Sequence, residues 1–334
     1  MAMKRLRLAL ILLALAAVAA ALALIDPRND EAEALFDHPR VVHLTPDGRL
    51  LVTDLGTGNG DGRVLALTLK DSEDDAFGDS ALKPVELTSD RVAKFEVLMD
   101  NLPSTRRGAG HRFAGLAGPS GAAMAPDGTV CVVIGEATVK GKGFGTMRCT
   151  DGLVVDLAKY EQDHNPDGKT VASDPYDIVW EGPSGWYVTD AAANTILAVD
   201  AGGTVRLVET YPQLPSGHEA GPTGLGVLRN ARGDPLFDVA LFWGQVLPVA
   251  RGSGLRLTRD DARPIAEESH GKSTWILLYG DGPESGSLTT NAPENPFAVI
   301  AAGLDRPTGF AHLSGGDFVV CEEERGRCLL VTGR

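Results

Sequence analysis

Apolar and polar positions along the chain fall into a loose phrase that recurs five times. An apolar run follows a proline and breaks at a Gly- or Asp-bearing turn. A second apolar run then ends near an acidic residue. The phrase is carried by residues 38–54 (HPRVVHLTPDGRLLVTD), 118–136 (GPSGAAMAPDGTVCVVIGE), 174–190 (DPYDIVWEGPSGWYVTD), 221–243 (GPTGLGVLRNARGDPLFDVALFW) and 306–322 (RPTGFAHLSGGDFVVCE). Val, Leu, Ile and Tyr around a tight turn predict a pair of antiparallel strands in each. A third run follows at 62–69, 144–149, 194–200 and 326–333, and a fourth closes several units at 94–102, 152–157, 204–211 and 296–304. No unit can bury both faces of its own strands, so the copies must stack on one another. Four sequential antiparallel strands per unit form the blade of a β-propeller.

The expected fold is therefore all-β, a single propeller domain over residues 26–334 with five countable units. The last unit stops after its third run, and residues 32–38 (AEALFDH) are expected to supply the fourth strand and close the ring. Closure removes open sheet edges. Two stretches break the pattern. Residues 70–91 form an acidic segment without apolar periodicity, read as an exposed loop. Residues 243–295 do not resolve into four clean strands. Helical periodicity is confined to VVDLAKYEQDH at 154–164, which argues against an α/β fold.

The first 25 residues stand apart from this domain. Lys4, Arg5 and Arg7 precede an uncharged run over 8–25 that contains Ala21-Leu22-Ala23, the form of a cleaved signal peptide or of a retained N-terminal anchor. Either places the domain outside the cytoplasm, secreted or periplasmic, with membrane contact only through an uncleaved leader. The formal net charge of −14 comes without any Lys/Arg stripe, which excludes a nucleic-acid partner. The 70–91 segment lacks the alternating ligands and closing Glu of an EF-hand. In an exported chain an even number of cysteines predicts disulfides. Cys131 with Cys149 and Cys321 with Cys328 each flank a predicted turn, so that facing strand positions would bring them within bonding range.

At 156–212 the chain carries D-L-A-K-Y-E, an N-P-D-G turn, an S-D-P-Y step, and D-A-A-A-N before an apolar run and D-A-G-G-T-V. Together these resemble the ScyD/ScyE family, proteins encoded with the biosynthesis of scytonemin, a bacterial sunscreen pigment. The resemblance extends more loosely over about 38–334. It implies a six-bladed propeller, similar in shape to NHL-repeat proteins and to gluconolactonase-type calcium lactonases, and it implies no settled activity. By the same comparison 243–295 corresponds to the fifth blade, shortened and scrambled.

Candidate chemistry is sparse. In the calcium lactonases, oxygen ligands at the entry of central strands hold one metal on the axis. The comparable positions here are Arg40, Ser120, Asp177, Thr223 and Thr308. One carboxylate among five, beside a cation, disfavours calcium, and no other cofactor is expected. The same five could recognise a small polar or anionic ligand at the axial mouth. The plainer reading, which we favour, is that the hydroxyls after proline satisfy backbone groups. Asp54, Asp190 and Glu322 each end a second strand, and a residue recurring once per blade is expected to close a turn rather than catalyse. Glu136 and Asn194, in the loops that follow, are weaker candidates for ligand contact. His43 and His312 are expected in the core or channel, and the four tryptophans in packing between blades. No nucleophile elbow or metal-spaced His pair is present, and HGKS at 270–273 lacks the glycine and the strand–helix setting of a phosphate loop. The expectation is a monomeric exported propeller that binds a small molecule or a protein at its axis and is not a hydrolase. The alternative is a lactonase, hydrolase or lyase using the axial channel.

Overall fold

The computed structural model describes residues 34–70, 84–107, 115–137, 143–214, 216–229, 235–243, 245–248, 263–270, 273–292 and 295–332. The leader over 1–25 lies outside them, as do residues 32 and 33 and the acidic stretch 71–83. Among the described residues no helix is long and apolar enough to cross a membrane.

The chain is an all-β propeller. Among the described residues five sheets are four-stranded and antiparallel, one has three strands, and Thr105–Arg106 and Leu116–Ala117 form a further two-stranded pair. The first sheet orders Pro39–Leu44, Leu50–Asp54, Gly62–Leu69 and Val92–Leu102 from the axis outward; the second starts on Pro119–Met124 and the third on Pro175–Trp180. Pro222–Arg229, Pro235–Leu241 and Gln245–Pro248 make the three-stranded sheet, and the fifth begins at Pro264–His270. The sixth orders Pro307–His312, Phe318–Glu322 and Arg327–Val331. Proline opens every innermost strand, a position where its missing N–H breaks no ladder.

The second strands LLVTD, VCVVI, WYVTD and FVVCE are buried along their whole length, because each is sandwiched between neighbouring sheets. The core accordingly lies between sheets. One cluster joins Val42, Val52 and Leu65 of the first sheet to Ala311, Val319 and Cys321 of the sixth. Another joins Val133 and Met147 of the second to Ile178, Val188 and Leu197 of the third.

Each innermost strand packs against the next, and Pro307–His312 packs back against Pro39–Leu44. Glycines make this approach possible. A Cβ on Gly121 would lie 2.7 Å from the Asp177 Cα, one on Gly224 2.6 Å from the Ala266 Cα, and one on Gly309 2.8 Å from the Val41 Cα. All three glycines stand two residues after the opening proline, in alternate sheets, each facing a residue with a side chain in the next.

The expected closure is corrected. Residues 34–38 form no strand; the outer strand of the sixth sheet is Val85–Glu86, paired to Leu330 and Leu329. This two-residue strand comes from the end of the segment read as a loop. It covers the edge that the expected N-terminal strand was to cover.

Cys131–Cys149 and Cys321–Cys328 are both disulfide-bonded, and each pair is directly opposed across adjacent strands. By loop-closure entropy each contributes roughly 2–3 kcal/mol. Bonds of this kind persist in oxidising compartments. The helical signal is a helix at Leu157–His164, capped by Asp156 accepting from the Lys159 N–H at 2.8 Å.

Candidate functional site

The first residue after each opening proline forms a ring across the axis: Arg40, Ser120, Tyr176, Thr223, Ile265 and Thr308. Above it a mouth chamber of about 340 Å³ opens between the loops. Below it an inner chamber of about 210 Å³ continues along the axis, and Tyr176, Ile265 and Thr308 line both.

Four of the five expected mouth residues sit in this ring. Asp177 does not; the strand register puts Tyr176 there and Asp177 one step deeper, in the inner chamber. All five are buried, and their polar atoms are engaged within the protein. The Thr308 hydroxyl donates to the Arg40 carbonyl at 2.7 Å, and Thr223 to the Ala240 carbonyl at 3.2 Å. Ser120 accepts from Arg40 Nη1 at 3.1 Å, and Asp177 accepts from the backbone N–H of Leu225 at 3.1 Å. Arg40 itself pairs with Glu323 at 2.7 Å. Burial opposes its charge, and the carboxylate of Glu323 outweighs burial, so the guanidinium is held charged. The hydroxyls therefore tie strands together, as do those of Thr53 and Thr189, which reach the carbonyls of Ser120 and Thr223 in the next sheet.

The mouth is built from loops after the second strands and before the first strands, and it is two-sided. Its charged side carries Arg107 paired to Glu136 at 2.7 Å, Arg306 paired to Glu324, the Arg40–Glu323 pair, and Asp174. Its aromatic side carries Phe242 and Trp243 from the three-stranded sheet and Tyr279 from the fifth, with Tyr176 in the floor. Phe242 meets Trp243 and Tyr279 edge to face, at 5.2 and 5.6 Å between ring centroids. Arg107 Nε is buried without a hydrogen-bond partner among the described residues.

Asp174 accepts the backbone N–H of Glu136 at 2.7 Å. Burial and the neighbouring Glu136 charge push its carboxyl up to about 7. Burial, with the charges of Asp190 and Asp167, pushes Glu161 in the capping helix likewise up to about 7. Both groups hold protons more tightly folded than unfolded. Their stabilising contribution is complete below the ordinary carboxylate range and is lost as pH rises towards about 7. Thermal unfolding followed from pH ~4 to ~7 should show a falling Tm, and Asp174→Asn should flatten part of that slope.

Glu136 thus reaches the chamber. Asn194 is structural instead, donating to Asp167 at 2.8 Å and accepting the Gly221 N–H at 3.1 Å. Asp54, Asp190 and Glu322 are fully buried turn closers: Asp54 accepts from His38 N, Asp190 from Asp174 N and Glu322 from Asp305 N, at 2.7–2.8 Å. His43 is a channel histidine with its ring 2.7 Å from Asp177, and His312 stacks on Trp275 at 4.1 Å. Trp180 and Trp186 pack together at 4.9 Å across paired strands of the third sheet, and Trp186 also lies in the core shared with Cys131 and Cys149 of the second, as expected of tryptophans packed between blades. Trp243 departs from that expectation by lining the mouth. The side chains of His111 and His270 lie outside the described residues.

Sequence reasoning missed Arg107, Asp174, Tyr176 and Tyr279. The available signal was positional: Tyr176 directly follows a strand-opening proline, and Tyr279 directly follows a second strand.

No protein-family model and no curated protein matches the sequence. Solved structures share its fold. A streptogramin B lyase is 14% identical, with 90% of this chain and 94% of that chain covered and a TM-score of 0.52. A Bacteroides thetaiotaomicron protein of unknown function is 11% identical over 90% of this chain and 70% of that one, with a TM-score of 0.53. A candidate gluconolactonase is 10% identical over 90% of each chain, with a TM-score of 0.49. For the first two, at these identities, the likeness concerns the propeller fold alone; fold does not fix chemistry.

Proposed function

We propose that this chain is an exported propeller of the ScyD/ScyE type whose axial mouth binds a small molecule with an aromatic body and a hydrogen-accepting polar end. The observation that carries the reading is the division of the mouth into an aromatic side, at Phe242, Trp243 and Tyr279, and a charged side where Arg107 Nε has no hydrogen-bond partner among the described residues. A largely apolar pocket with a few placed polar groups is the form of small-ligand sites. Because Arg40, Arg107 and Arg306 are each paired to a glutamate, the chamber favours an acceptor group over a free anion, a narrower class than the five-residue ring implied. Six blades are supported by the closed run of innermost strands, one of them opening the sheet that has three strands among the described residues. Export is supported by the basic–apolar leader and by the bonding of all four cysteines.

A second reading, hydrolase or lyase chemistry in the same chamber, draws on Asp174. A carboxyl poised near neutral pH beside a second carboxylate suits proton transfer.

Tryptophan fluorescence tests the binding reading, with a panel of monocyclic phenols and aromatic amides, p-hydroxybenzamide among them, against aliphatic amides. Aromatic members should quench emission saturably, and Trp243→Phe should remove the quenching. Absence of quenching across the panel, or its persistence in Trp243→Phe, would refute ligand binding at this mouth.

A further inference from the structure

The inner chamber is a second cavity, on the opposite side of the ring from the mouth. Its walls are mostly apolar, from Val42, Leu225, Val227 and Phe310, yet His43, Asp177, Glu267 and Glu268 also face it. The imidazole of His43 is already engaged by Asp177 at 2.7 Å. Glu267 is only 6% exposed. One of its oxygens accepts the Gly226 N–H at 3.1 Å, and the other, Oε2, has no hydrogen-bond partner among the described residues. A buried polar atom left unsatisfied costs about 1–3 kcal/mol, and such exceptions in a fold call for an explanation.

We propose that the inner chamber binds the ammonium group of a small alkyl amine, with Glu267 as its principal partner and the apolar wall around the alkyl chain. Neither Lys nor Arg is among the described lining residues, and His43 is taken up by Asp177, so an anion would find no charged donor to hold it. Among the described residues no three His, Cys, Asp or Glu side chains are grouped to hold a metal ion. Metal ligation needs oxygens converging at about 2.3–2.6 Å, whereas an ammonium reaches separated acceptors through three hydrogen bonds of about 2.7–2.9 Å. The chamber has room for carbon as well as charge. Access is from the face opposite the mouth, where Leu44 is 45% exposed and the His43 side chain 28%.

Binding of this kind is linked to protons. Burial, followed by the charges of Asp238, Glu268 and Asp177, holds the Glu267 carboxyl protonated well above the ordinary range. Asp238 stands opposite Gly226 on the adjacent strand, and Glu268 accepts the His312 N–H at 3.2 Å. Burial opposes protonation of His43, and Asp177 outweighs it, so the ring is held charged more readily than usual. An arriving ammonium displaces the Glu267 proton to buffer, its positive charge replacing the proton.

The test is calorimetric titration of the full folded chain with n-butylammonium chloride near neutral pH, in two buffers of different ionisation enthalpy, with n-butanol and calcium chloride as comparison probes. Saturable binding of n-butylammonium with release of close to one proton is expected, and neither comparison probe should bind in this way. Glu267→Gln, which keeps the neutral shape already present, should unfold at the wild-type temperature or above and bind at least about tenfold more weakly. A lowered unfolding temperature is answered by Glu267→Met, which should fold and bind with the same loss. No saturable heat, equal heats in both buffers, or unchanged affinity in both variants would overturn the proposal. The mouth reading, tested through Trp243, stands or falls separately.

Discussion

Replacing Gly309 by alanine should lower the stability of the folded chain by about 3 kcal/mol or more, the upper range for overpacking. The added methyl would lie 2.8 Å from the Val41 Cα, 2.9 Å from the Arg40 carbonyl oxygen and 3.0 Å from the Val42 nitrogen. All three are backbone atoms, so no rotamer change can relieve the contact. It falls where the last innermost strand meets the first, and relief would require the ring to open there. Thermal melting should register a drop on the order of 6–12 °C. Gly282 provides the comparison, because a methyl there meets nothing within 4 Å and Gly282→Ala should melt within a degree or so of wild type. Equal melting of the two variants would mean that the sixth and first sheets do not pack as described.

Asp54→Ala should be of comparable severity for an electrostatic reason. The carboxylate is fully buried and accepts the N–H groups of His38 at 2.8 Å and of Asp37 and Gly56 at 3.1 Å, besides pairing with Arg63. Truncation leaves these donors facing a void. At about 1–3 kcal/mol for a buried group stripped of its partner, with Arg63 free to turn towards solvent, the loss should reach about 3–5 kcal/mol. Asp54→Asn keeps one acceptor and should recover part of it. Chemical denaturation measures both; an Asp54→Ala midpoint within error of wild type would return this recurring acid to the list of candidate functional groups.

The repeating phrases were legible because four of the sheets bury their second strands on both faces, which forces unbroken apolar runs such as LLVTD and FVVCE. The disulfide pairs were legible for a related reason, since facing positions on a hairpin leave each cysteine one near partner. The stretch 243–295 was not legible. There Pro264–His270 opens on proline like the other innermost strands but carries Glu267 and Glu268, and Gly286–Ala292 is polar along most of its length. Local pattern and global fold conflict there because the inner chamber places charge where the other strands place apolar residues, as functional sites tend to do. Closure by Val85–Glu86 was hidden differently. Two residues inside an acidic segment carry no periodicity, and only the outer edge of Arg327–Val331 in the last sheet, which needs a partner, calls for them.

At the site, the proline-led strands located the axis but gave the wrong depth for one residue. Asp177 is the second residue after its proline, while Arg40, Ser120, Thr223 and Thr308 are the first; counting from the proline would have selected Tyr176. The glycines of P-S-G, P-T-G and P-T-G were visible as a repeat. Their alternation with Val41, Asp177 and Ala266 acquires meaning only once the strands stand in a ring. The aromatics lining the mouth could not be singled out, because Phe242 and Trp243 end a recurring phrase as a continuation of its apolar run, and Tyr279 follows a strand in the part of the chain where the pattern fails.

Hydrogen exchange of the folded protein tests the closed ring, and with it the existence of an axial channel, most directly. The amides of Pro39–Leu44 and of Pro307–His312 should exchange in one slow class, since strands packed as a single cooperative unit open together, and Gly309→Ala should accelerate both by the same factor. Rapid exchange across Pro39–Leu44 beside continued protection of Pro307–His312 would show a frayed first sheet and an open array, and would contradict the account.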